Sequence, residues 1–202
     1  MLLKNGIDKI MSPLEIFAVI ISVIGVVLTI RRHMWCWGVN LISYLIYGYL
    51  FFEYKLYGET ILQVVFVFLG IYGFYHWSKT KKQDDEIRIE PIVVRKVFIH
   101  AGLTAIGGLA FGLSLHYFTD AALPLLDAQL AAFSLLGTYW TSRKHIATWV
   151  LWVFVDIIYT GMFFYKELYL TAVLYASFVG LAAWGWHQWL QVRQKQHSMV
   201  IE

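Results

Sequence analysis

Cysteine occurs once, proline three times, and charged side chains make up only 14% of the 202 residues. Each scarcity removes a class of protein. The lone Cys36 can close no internal disulfide and has no partner for a cysteine-based metal site. An ordinary soluble domain is roughly 25% charged, and this chain carries too little charge to dissolve a composition that is 59% hydrophobic. G-x-S-x-G and H-E-x-x-H are both absent, and the histidines fall mostly at the edges of apolar runs, so no nucleophile or metal constellation marks an enzyme. No catalytic residue, cofactor or metal is expected.

What the chain does have is long apolar runs, at about 14–30, 35–52, 60–77, 92–113, 126–142, 147–164 and 169–190. Each is near the ~20 residues that a bilayer core requires of a helix. Pro13, Pro91 and Pro124 all fall just outside these runs, where proline does a helix least harm. The first run follows Lys4 and Lys9 without a small-residue cleavage site after it, so it is expected to remain as a helix. The one strongly polar stretch, "SKTKKQDDEIRIE", reads as a solvated linker between the third and fourth runs. With seven spans, Arg31, Arg32, Lys79, Lys81, Lys82, Arg88, Arg95, Lys96, Arg143, Lys144, Arg193 and Lys195 share one side; Lys4, Lys9, Lys55 and Lys166 share the other. That bias predicts a cytoplasmic C-terminus and an outside N-terminus. It also accounts for the net charge of +3 without a nucleic-acid partner.

Shifted by 112 residues, Leu14–Trp77 aligns with Leu126–Trp189 without a gap, at about 30% identity. Ser22, Gly25, Thr29, Arg31, His33, Trp37, Tyr47, Gly73 and Trp77 all recur in register. Three helices per repeat and a linker helix between them predict an all-α membrane protein. Its seven transmembrane helices form two parallel three-helix repeats joined by a central linker helix, 3+1+3. Residues 1–80 are then the first repeat, 81–120 the polar loop and linker helix, and 121–202 the second repeat with its tail. The plan resembles that of the SWEET sugar transporters, and repeats of this kind hold a substrate near the midplane between the halves. In the linker helix, Gly108 and Gly112 have small-xxx-small spacing, which suits either an internal seam or a contact between protomers.

Helix 6 places Trp149, Trp152, Asp156 and Tyr159 on one face. Their counterparts in helix 2 are Trp37, Asn40, Tyr44 and Tyr47, so both repeats carry an aromatic and polar stripe, expected to face one another across a cavity. A carboxylate at the bilayer centre costs about 3 kcal/mol. Asp156 therefore either bonds to Thr160 or a nearby tyrosine, or meets a cation, and no Lys or Arg lies mid-span to be that cation. Indole faces suit a desolvated cation as well. Gln63 in helix 3 offers donors and an acceptor for an amide or hydroxyl, or for another helix. "YGFYHW" and "WGWHQW", at the ends of helices 3 and 7, read as interfacial aromatic belts. A retinal receptor is excluded, because helix 7 has no lysine between Tyr169 and Leu190.

"FFEYKLYGETILQVVFVFLGIYGFYHW" and "ATWVLWVFVDIIYTGMFFYKELYLTAVLYASFVG" resemble the PnuC-type family of vitamin transporters. The W-x-x-W of Trp149 and Trp152 and the "LQV" around Gln63 carry the likeness. The resemblance implies facilitated diffusion of nicotinamide riboside or another small cationic aromatic vitamin or nucleoside. It further implies a homotrimer in the lipid bilayer of a bacterial inner membrane. Some family members have asparagine where this chain has Asp156, and thiamine, also a flat cation, is the alternative cargo. A SWEET-like sugar carrier is the remoter one, since sugars gain little from a carboxylate of this kind.

Overall fold

Seven α-helices run through the computed structural model, which describes residues 13–53, 57–84, 87–118, 123–165 and 169–198. They are α1 (Pro13–Ile30), α2 (Trp35–Glu53), α3 (Tyr57–Asp84), α4 (Val94–Phe118), α5 (Pro124–Ser142), α6 (Ala147–Tyr165) and α7 (Tyr169–Ser198). Pro124 opens α5, where its missing N–H would have found no partner anyway. α1, α2, α3, α4 and α6 are long and apolar enough to cross a membrane. Ten of the nineteen residues of α5 are buried. Contacts with α3, α4 and α6 shield it, so its serines and threonines need not face lipid.

The turns between α1 and α2 and between α5 and α6 carry the same bonds, 112 residues apart. Arg32 N–H donates to Thr29 O and His33 N–H to Leu28 O, while Lys144 N–H donates to Thr141 O and His145 N–H to Trp140 O, all at 2.9 Å. Arg32 and Lys144 are the two non-glycine residues with positive φ among those described, at 55° and 60°. Within the helices, Ser22 and Ser134 return their hydroxyls to the carbonyls of Ala18 and Leu130, and Thr29 and Thr141 to those of Gly25 and Gly137. Packing follows the same exchange: α1 packs on α2 and α7, and α5 packs on α6 and α3. Among the described residues α2 and α6 do not pack on each other, and α4 packs on α5 alone.

Gly108 and Gly112 belong to that α4–α5 contact, beside Gln129 and Ala132 and beside Leu125 and Ala128. Of the two readings their spacing allowed, the internal seam is the one observed; Gln129 Nε2 also donates to Ala105 O at 2.9 Å.

One expectation needs correction. Residues 87–90 do not form a solvated linker but an extended segment in which Ile87 and Ile89 are buried and Arg88 and Glu90 exposed. The alternation has the two-residue period of a strand, and Glu90 bridges to His145 in parallel fashion. One apolar side chain falls to the inside for each charged one that points out, which a reading of net polarity overlooks. The segment lies with the α1–α2 and α5–α6 turns at one end of the bundle, here the basic end. Lys4, Lys9, Lys55 and Lys166 lie outside the described residues.

Candidate functional site

Four tryptophans pack together at the basic end of the bundle. Trp37 meets Trp77 edge-on at 5.3 Å between centroids, Trp77 meets Trp189 at 6.3 Å, and Trp189 meets Trp149 edge-on at 5.4 Å. Trp77 and Trp189 are 0% exposed, so the interfacial-belt expectation fails for the last aromatic of each helix. Their indole N–H groups explain why they turn inward. Trp77 Nε1 donates to Thr141 O of α5 at 3.2 Å and Trp189 Nε1 to Ile30 O of α1 at 3.1 Å, so each repeat lends the other an acceptor. Nothing in a single helix distinguishes such a tryptophan from a belt residue; its recurrence at the same place in both repeats is the available signal.

Trp37 and Trp149 lie in this same apolar cluster. Glycine makes room for them: a Cβ on Gly185 would stand 2.6 Å from the Trp149 ring, and one on Gly73 would run into the Trp37 ring. Their indole nitrogens are buried and have no acceptor among the described residues. Trp152 and Asn40 are half-buried, one step along the stripes, and again rest on repeat-related glycines, Gly137 and Gly25.

Asp156 is the tenth of the nineteen residues of α6, about 14 Å from either end at 1.5 Å per residue. It is 5% exposed. The expected bond to Thr160 exists, but it runs to the main chain: Thr160 Oγ1 donates to Asp156 O at 2.7 Å. The carboxyl oxygens of Asp156 have no hydrogen bond or ion pair among the described residues, and the same holds for the side-chain amides of Asn40 and Gln63. Buried polar groups are usually satisfied, so the carboxyl of Asp156 on α6 calls for a ligand or water, and the half-buried amides of Asn40 on α2 and Gln63 on α3 are open to one as well. Each has an aromatic counterpart 112 residues away: Trp152 for Asn40, Tyr44 for Asp156, Tyr175 for Gln63.

The tyrosines are held from behind. Tyr44 stacks on Phe66 at 5.2 Å. Tyr47 stacks on Phe51 at 5.8 Å. Tyr159 stacks with Phe163 at 5.8 Å and meets Tyr175 at 4.7 Å.

Below the tryptophans, Lys144 is 2% exposed, a costly place for an ammonium. Its Nζ donates to Thr80 Oγ1 at 2.8 Å and lies 3.7 Å from Glu90 Oε1. Burial holds the neighbouring His145 below the ordinary histidine pKa, with Glu90 opposing and Arg143 reinforcing the shift.

Residues 12–191 match the family described as nicotinamide mononucleotide transporter. The chain belongs to that family. Among relatives of this transporter family, the nicotinamide riboside transporter PnuC of Escherichia coli strain K12 is 26% identical over 187 residues, 80% of this chain and 78% of its own. The riboflavin/roseoflavin transporter RibM of Streptomyces davaonensis is 25% identical over 188 residues, 91% and 87% of the two chains. The crystal structure of the vitamin B3 transporter PnuC shares the fold, with a TM-score of 0.70 at 23% identity over 88% of this chain and 80% of that one. The protein is accordingly a multi-pass membrane transporter of the PnuC type and not an enzyme.

Proposed function

We propose that the protein moves a flat, positively charged vitamin or nucleoside, with nicotinamide riboside as the leading candidate, by facilitated diffusion through alternating access. The observation that carries this is Asp156: a carboxyl buried at the middle of a membrane helix with no protein partner among the described residues. Such a group is costly unless something answers its charge, and a pyridinium ring does. Trp152, Tyr44, Tyr47 and Tyr159 supply aromatic faces for the ring, Trp37 and Trp149 add theirs only once their apolar cluster opens, and Asn40 and Gln63 supply partners for an amide and a ribose. Two repeats of three helices enclose this site in the proposed arrangement, with α4 as the linker, the basic end toward the cytoplasm and the N-terminus outside. The working form is a homotrimer in a bacterial inner membrane. Net uptake is drawn by phosphorylation of the cargo in the cytoplasm.

Quenching of intrinsic tryptophan fluorescence in the purified protein tests the cargo, with nicotinamide riboside, thiamine and riboflavin as separate arms. Saturable quenching by nicotinamide riboside below about 1 mM is expected. Tighter binding of thiamine transfers the assignment to that vitamin, whose aminopyrimidine also suits a carboxylate. Binding of riboflavin alone ends the argument from charge.

A further inference from the structure

The extended segment 87–91 is joined to three separate parts of the bundle. Glu90 N–H donates to Lys144 O at 3.0 Å, and Ile146 N–H donates to Glu90 O at 3.3 Å, which ties the segment to the α5–α6 turn. Arg32 Nη1, from the α1–α2 turn, donates to Ile87 O at 3.2 Å. Gln196 near the end of α7 holds it twice: its Oε1 accepts from Ile89 N–H at 3.1 Å, and its Nε2 donates to Ile87 O at 3.5 Å. Ile87 and Ile89 enter the cluster built by the four tryptophans and Cys36. The segment therefore spans both repeats at the end where their tryptophans cross.

From these contacts we infer that residues 87–91 form a strap that keeps the basic end shut, and that the strap must let go of at least one of its three attachments before that end can open. The inference rests on the alternating-access reading. The side-chain amide of Gln196 is its release point, because one residue at a helix tail supplies two of the bonds and can swing away without unfolding anything else.

Maleimide labelling of the full-length protein in detergent tests the strap without any substrate, so its failure and a wrong assignment of cargo are told apart. In a Cys36→Ser background, Ile89→Cys should react with a bulky charged maleimide at least about tenfold more slowly than Arg88→Cys, its exposed neighbour. Adding Gln196→Leu should speed the Ile89→Cys chain by about tenfold, the factor expected from one to two lost hydrogen bonds, and leave the Arg88→Cys chain unchanged. Equal rates at the two positions, or a rate at position 89 indifferent to Gln196→Leu, overturn the proposal. Native Cys36 repeats the test with the strap sequence intact: Gln196→Leu should hasten its labelling, and equal rates with and without that substitution count against the strap.

Discussion

At the scale of single residues, the proposed site is a set of polar groups left unanswered among the described residues. Asp156→Asn keeps the shape of the side chain and removes its charge, so it should weaken binding of a cationic cargo by ~1–3 kcal/mol with little change in thermal stability. Titration calorimetry on the two proteins checks this, and equal affinities would return Asp156 to a purely structural place. Room for the aromatic stripe comes from glycine. A methyl on Gly137 would stand 2.9 Å from Trp152 Cε2, whereas one on Gly161 would meet nothing within 4 Å. Gly137→Ala should therefore displace Trp152 and lower transport several-fold, and Gly161→Ala should not; uptake in cells expressing each variant makes the comparison. Asp156, Asn40 and Gln63 were legible in the sequence because a polar residue in an apolar helix has few uses. Which of them lack partners was not legible, because Thr160 could have bonded to the carboxyl of Asp156 or, as it does, to the carbonyl.

At the scale of elements, the helices followed from apolar run length, but their ends did not. α3 continues to Asp84 and α7 to Ser198, past the apolar runs that announced them, because a polar helix outside the bilayer still keeps its own backbone bonds. The strap escaped because "IRIE" is only two repeats of an alternating pattern inside a charged stretch. The turn it touches provides a pH-dependent readout. The unfolded chain takes up a proton on His145 near the ordinary value of 6.5, whereas burial withholds it in the folded state. Stability should therefore fall as pH is lowered through 6.5 toward the depressed folded value, since the unfolded state binds more protons there. The melting temperature of purified protein across this range should drop less in His145→Gln than in the unaltered chain.

At the scale of the whole molecule, the 112-residue repeat was the most informative feature of the sequence, and the shared bonds of the two turns give it physical form. The same helices that exchange under the shift also supply the packing partners, with α4 to one side on α5. Asp156 is the one acid within α6, so flux should be uncoupled from protons. Sealed vesicles that hold the protein and no kinase should equilibrate cargo and go no further; accumulation abolished by a protonophore would make it a symporter instead. The crossed indole bonds, Trp77 to Thr141 and Trp189 to Ile30, bear on how such a molecule can diverge. One residue gained or lost in α3 or α7 ahead of its tryptophan would swing the indole about 100° away from its carbonyl. An insertion or deletion there would therefore break a bond that joins the two halves, whereas no such crossed bond ties down Asn40, Asp156 or Gln63 among the described residues, where the halves already differ.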